Sequence, residues 1–276
     1  MKTIHTLKKV SLATFLTFVL SFSSVFAQND TMYIMKSGAI VGQYNVNTEV
    51  DSVIFYKPTI EETTSGTFID SRDGNEYNWV QIGDQVWMAE NLAYLPSVNM
   101  VADGSEDAAG SYYYVYGYDG TNVADAKATD NYATYGVLYN WTAAMDGEAS
   151  STTNPSGIQG VCPAGWHLPS DAEWTGLTNY LGGTSVAGGK LKETGTTHWA
   201  SPNTGATNET GFTALPGGYR YVSGTFGGFG DNGYWWSATK NNAAGAWYRG
   251  MSSSNSLVYR HYTNKEVGFS VRCVRD

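Results

Sequence analysis

Short apolar runs broken by turn residues dominate this chain, and only two stretches carry the three-to-four-residue spacing of a helix. From residue 31 to 57 the pattern is Thr-Met-Tyr-Ile-Met-Lys, a Ser37-Gly38 turn, Ala-Ile-Val-Gly-Gln-Tyr, then Ser-Val-Ile-Phe-Tyr-Lys, which predicts a small β unit. It holds too few apolar residues for a core of its own, so it docks elsewhere on the chain or offers an edge strand to a partner. Residues 58–66 are polar and aperiodic and predict a linker. Strands follow around Asp73-Gly74, and Gly83-Asp84 predicts a two-residue hairpin turn between strands at 79–82 and 85–88. Residues 97–133, rich in Gly, Asp, Ala and Tyr, read as a long surface insertion with a strand at 112–116. Leu138, Trp141 and Met145 share one face of a helix predicted over 137–145.

The strongest helix signal follows Pro169. Ser170 can accept the Glu173 N–H while the Glu173 carboxylate reaches back to the Ser170 N–H, a capping box. Trp174, Leu177 and Leu181 then recur on one face, and Gly182-Gly183 supplies a left-handed stop, which predicts a helix over 171–181. Beyond it, Gly, Ser and Asn punctuate short aromatic strands to the end of the chain. The fold class is therefore α+β, with two helices and short, mostly antiparallel strands. In the last strand, 268–274, Phe269, Val271 and Cys273 alternate with Ser270 and Arg272, which turns Cys273 toward the core.

Five motifs stand in order: Trp-Met-Ala-Glu-Asn-Leu (87–92), Gly-Trp-His-Leu-Pro-Ser-x-x-Glu-Trp (165–174), Leu-Pro-Gly-Gly-Tyr-Arg (215–220), Gly-Tyr-Trp-Trp-Ser (233–237) and Gly-Phe-Ser-Val-Arg-Cys-Val (268–274). Together they resemble the Fibrobacter succinogenes major paralogous domain family. The resemblance covers roughly residues 66–276 and implies a C-type-lectin-like fold, distantly related to the formylglycine-generating sulfatase-modifying enzymes, with no settled activity. The expected organisation is a signal peptide (1–27), a small β unit (28–57), a linker (58–66) and the major paralogous domain (67–276). Two cysteines invite one disulfide or remain a free thiol pair. Cys162 and Cys273 fall where the lectin-like fold ties its first-helix region to its last strand, so the resemblance implies a structural bond. The formylglycine-generating relatives work through cysteines that bind copper and attack substrate, and no spare thiol is left for that chemistry here.

Residues 1–27 have a basic start (Lys2, Lys8, Lys9), an apolar run from Val10 to about Phe22, and Val25-Phe-Ala27 before Gln28. The run is shorter than the ~20 apolar residues of a spanning helix. Cleavage after Ala27 and export to the periplasm, cell surface or medium are expected, with no membrane span in the mature chain. Formal charge is −9, and −12 without the three lysines of the signal, so nucleic acid and anionic membranes are excluded as partners. Charged residues make up 15% of the chain against a usual level of about 25%, which leaves Ser, Thr, Asn and Tyr to supply the polar surface.

No metal or cofactor is expected. His167, His198 and His261 lack ligand spacing, and the Glu-Pro-Asn, Gln-Pro-Asp and Trp-Asn-Asp motifs of calcium-holding lectins do not occur. The acids of 70–76 read as a solvated turn before they read as a cation site. Gly228-Phe-Gly-Asp-Asn-Gly233 matches the dinucleotide fingerprint by letter, but a strand rather than a helix follows it. Glu173 is used by its cap, and Glu90, Glu193, Glu209 and Glu266 show no pairing, so no catalytic constellation is recognised. What stands out is aromatic and guanidinium density in the last third. Neighbours on a strand alternate sides, so one member each of Trp235-Trp236 and Trp247-Tyr248 is expected to face outward. The candidate ligand-binding residues are Tyr219, Arg220, Trp235, Trp236, Trp247, Tyr248, Arg249, Tyr259 and His261, with plain packing as the rival reading. The expectation is an exported, non-enzymatic recognition or adhesion module for a glycan or surface protein; the alternative is a carbohydrate-active or protein-modifying enzyme.

Overall fold

A computed structural model of the chain describes residues 31–36, 39–45, 64–104 and 107–276. The signal segment, the Ser37-Gly38 turn, the strand expected at 52–57 and residues 58–63 of the expected linker lie outside the described residues. The chain divides into a unit up to residue 61 and a second from 62 to 276. In the first, β1 (Thr31–Lys36) pairs antiparallel with β2 (Ala39–Asn45).

The second unit is α+β, with two five-stranded sheets and five short helices among the described residues. One sheet runs β3 (Ser65–Ile69), β4 (Glu76–Ile82), β5 (Gln85–Met88), β14 (Val274–Arg275), β8 (Trp166–His167). Its β4–β5 hairpin closes on Gly83-Asp84 with Ile82 opposite Gln85, as the turn residues predict. Ser65 and Gly66, expected in the linker, are instead the first residues of β3, paired with Val80 and Trp79. The turn before β4 does not solvate all of its acids: Asp70 is fully buried and bonds the Arg72 guanidinium at 2.7 Å, whereas Glu76 is exposed.

The other sheet runs β10 (Thr225–Phe229), β9 (Gly217–Tyr221), β11 (Asn232–Lys240), β12 (Gly245–Ser252), β13 (Tyr259–Asn264), antiparallel except for β9 with β11. β11 divides the core. Trp236 enters a cluster with Tyr139, Phe269, Val271 and Cys273, whereas Trp235 enters a second with Trp87, Trp174, Leu177 and Phe212. Strand alternation holds, but both tryptophans are 0% exposed, because both sides of β11 are covered. The expectation that one faces outward is therefore corrected. The segment 268–274 behaves likewise. It makes isolated bridges at Gly268, Phe269 and Ser270 rather than one strand, and Arg272, on its supposed outer side, lies over the Phe212 ring at 4.1 Å. Cys273 does face the core and is bonded to Cys162, with Cα atoms 6.0 Å apart.

Helix α4 (Asp171–Tyr180) forms where the capping box places it: Glu173 N donates to Ser170 Oγ at 3.1 Å and Ser170 N to Glu173 Oε2 at 2.9 Å. The same carboxylate accepts Ser156 N and meets His167 Nε2 at 2.6 Å, while His167 Nδ1 meets Asp276 at 2.7 Å. Ser170→Ala should cost about 0.5 to 2 kcal/mol in denaturant unfolding, since one N–H of a buried helix start loses its acceptor. A change within error would place the organising turn elsewhere.

Other helical readings need correction. The pattern over 137–145 splits into β7 (Leu138–Tyr139) and α3 (Trp141–Met145), because β7 pairs with β6 (Tyr113–Tyr114) and Asn140 caps a helix that starts only at Trp141. The supposed surface insertion holds α1 (Val123–Lys127) and α2 (Asp130–Tyr135), and buries Val98, Tyr114, Val115 and Tyr132. Helix α5 (Ala187–Leu191) has no helical signal in the sequence because it contains Gly188-Gly189. A Cβ there would stand 2.3 Å from the Leu257 and Gly205 carbonyl oxygens, so close backbone approach requires glycine against its helix propensity.

Candidate functional site

The cross-strand register assembles one row of half-buried aromatic side chains on the side of the second sheet that carries Trp236. Trp236, Tyr248 and His261 stand opposite one another and share a face, as do Tyr234, Gly250 and Tyr259. Tyr219 on β9 joins them, 5.6 Å from the Tyr234 ring at an interplanar angle of 74°. Tyr234 meets Tyr248 at 5.7 Å and 75°, and Tyr221 continues the row beyond Tyr219 at 6.2 Å. Tyr234 and Tyr248 rest on Phe269 at 5.0 and 4.8 Å, so buried packing fixes the rings from below. Glycine across the strand makes the room. A Cβ on Gly250 would touch the Tyr234 ring at 3.0 Å, and one on Gly227 would stand 2.7 Å from the Tyr219 hydroxyl.

Several tyrosine hydroxyls are committed within the protein: Tyr112 to Asp107, Tyr114 to the Asp103 carbonyl, Tyr132 to Ala93, Tyr139 to Tyr94 and, in the row itself, Tyr259, which accepts from Asn255 Nδ2. Among the described residues no protein group bonds the hydroxyls of Tyr219, Tyr234 or Tyr248, and no Lys or Arg stacks on their rings. Burial, then the neighbouring Tyr248, pushes the Tyr234 phenol up to about 12, and burial also raises Tyr248. Both stay protonated and can donate as well as accept.

Of the candidates from sequence, Tyr219, Tyr248, Tyr259 and His261 belong to this row. Trp236 shares their face but is buried beneath it, and the other four lie elsewhere. Trp235 and Trp236 are core. Arg220 is fully buried and donates to the Val101, Asp103 and Glu266 carbonyls, pinning the 101–103 turn. Arg249, also buried, bonds Asp171 Oδ1 at 2.6 Å at the start of α4, so it offers no guanidinium to a ligand. Trp247 lies on the opposite face, half-buried, with the Arg260 guanidinium 3.7 Å above its ring and Arg260 held in turn by Asp171. Burial would raise the Asp171 carboxyl, but bonds from Arg260 and Arg249 outweigh it and hold it below the usual range. Tyr234, the central ring of the row, is not among the candidates from sequence; its only signal is the glycine opposite, which needs the register to be seen. Among the described residues no group of three or more His, Cys, Asp or Glu could hold a metal ion.

A family profile described as Fibrobacter succinogenes major domain matches residues 80–275, from within β4 to the end of β14. The chain belongs to this family. No curated protein and no solved structure matches it. The Fibrobacter succinogenes major domain thus takes in the tyrosine row, the Cys162–Cys273 bond and the capped helix α4, while β1, β2 and β3 lie before the matched span.

Proposed function

We propose that this chain is an exported, non-enzymatic recognition module with a C-type-lectin-like fold, and that the tyrosine row binds a neutral glycan. One observation carries the reading: adjoining tyrosine rings, fixed from below by Phe269, present half-exposed faces together with hydroxyls that no described protein group uses. Ring faces suit the C–H faces of sugars, and phenol hydroxyls suit their O–H groups, in a site that needs no metal. Binding here works by shape and hydrogen bonding, with no bond made or broken. The disulfide supports the non-enzymatic reading, since both cysteines of the chain are committed to each other. It also supports the lectin-like reading, by tying the segment before α4 to the last strand. The net charge of −9 argues against anionic glycans. A glycan array probed with the mature chain should return neutral oligosaccharides, and competition by tyrosine-row variants should be weaker than by wild type. Binding confined to a surface protein, or to acidic glycans, would overturn the assignment.

A further inference from the structure

A second feature lies where β10 meets the turn at 193–203. Glu193 is fixed by its N–H to the Ala214 carbonyl, and Asn203 Nδ2 donates to the Glu193 and Gly195 carbonyls at 2.8 and 2.7 Å. Trp199 is buried and bonds Ala214 O, and Ala200 N donates to Gly230 O at 2.7 Å, fastening the turn beside the end of β10. On this rigid turn His198 Nδ1 sits 2.9 and 2.8 Å from the two Glu193 carboxylate oxygens. A carboxylate only accepts, so Nδ1 carries the proton and Nε2 of the neutral ring is an acceptor. Among the described residues no protein group meets Nε2, and the His198 side chain is 29% exposed.

The imidazole is set at one end of an aromatic strip. Its ring meets Tyr135 edge-on at 5.8 Å, Tyr135 meets Phe229 at 4.8 Å, and Phe229 stacks on Tyr116 at 4.5 Å. Phe229 is 38% exposed. The strip is tied to the tyrosine row through the β9–β10 pairing, which sets Phe229 opposite Gly217 and Gly227 opposite Tyr219, two residues along each strand. An exposed ring and an imidazole held in one tautomer, both packed against Tyr135, can together read a ring bearing a hydroxyl.

We propose that His198, oriented by Glu193, and Phe229 form a second subsite that takes a further neutral sugar of the glycan bound by the tyrosine row, with Phe229 stacking on the ring and His198 Nε2 accepting one hydroxyl. This rests on the glycan reading of the row. The Glu193 carboxylate behind the imidazole makes the subsite reject a uronic acid and accept the matching neutral sugar.

The test uses the mature chain with neutral β-linked hexasaccharides of glucose, xylose and mannose, and with an oligouronate of equal length, by titration calorimetry and by nitrogen-15 NMR of the histidine rings. The account expects the Nδ1–H tautomer at His198, a shift of its Nε2 resonance on adding the bound hexasaccharide, and weakening of up to about tenfold in His198→Ala and Phe229→Ala. Melting temperatures report folding of each variant. Tighter binding of the oligouronate, an Nε2–H tautomer, or unchanged affinity in both variants would overturn the subsite. If variants at Tyr219, Tyr234 and Tyr248 lose binding while those at His198 and Phe229 do not, the subsite fails alone. If no neutral hexasaccharide binds wild type, the reading of the row fails and the subsite with it.

Discussion

Truncation of either Trp235 or Trp236 to alanine should destabilise the domain by about 3 to 5 kcal/mol, the cost of emptying a fully buried indole site. Each ring is 0% exposed and also donates a hydrogen bond, Trp235 Nε1 to Asn91 Oδ1 and Trp236 Nε1 to Tyr139 O, both at 2.8 Å. The two losses should add closely, because the rings serve different clusters on opposite sides of β11. A total stability of ~5 to 15 kcal/mol leaves little for the double variant to fold with. Denaturant unfolding measures both terms. If one of the single variants unfolded like wild type, one side of β11 would be open, and the two-sided core would be wrong.

Glu173→Ala should be of similar size, about 3 to 5 kcal/mol, because it removes the anion from a buried cluster. Its Oε2 accepts the Ser156 and Ser170 N–H groups and its Oε1 meets His167 Nε2. Burial alone would lower the His167 pKa, but the Glu173 and Asp276 carboxylates outweigh it and raise the value above the ordinary 6.5. A raised folded value means that protonation stabilises the fold. That contribution is full below about pH 6.5 and drains as pH rises through the folded value. The gap between wild type and Glu173→Ala should thus be widest in mild acid and narrow toward alkaline pH. A gap that widened with rising pH would mean that His167 is not the cation Glu173 holds.

What could be read from sequence depended on how local its cause was. The capping box at Ser170 and Glu173 and the Gly83-Asp84 hairpin are written within a few residues, and both form as expected. The family resemblance carried the Cys162–Cys273 bond. Alternation put Trp235 and Trp236 on opposite faces, but whether a face is covered depends on distant elements such as α4 and residues 268–274. Arg220 and Arg249 read as surface because arginine is seldom fully buried without a partner. Their partners, loop carbonyls in one case and Asp171 in the other, lie 46 or more residues away. Four of the nine candidate ligand residues lie in the tyrosine row, and its central ring, Tyr234, is illegible in the sequence because Gly250 marks it only across the strand pair.

The tyrosine row can be tested without touching the core. Tyr219, Tyr234 and Tyr248 changed together to phenylalanine keep every ring contact and lose only hydroxyls that bond no described protein group. Stability should stay within about 0.5 kcal/mol of wild type. Each hydroxyl that meets a sugar contributes about 0.5 to 1.5 kcal/mol, so affinity for the neutral oligosaccharide found on the array should fall tenfold or more. Calorimetric titration of this triple variant, paired with its unfolding curve, is the direct measurement: a weakened ligand on an unchanged fold is the predicted result, and undiminished affinity would contradict recognition by this face.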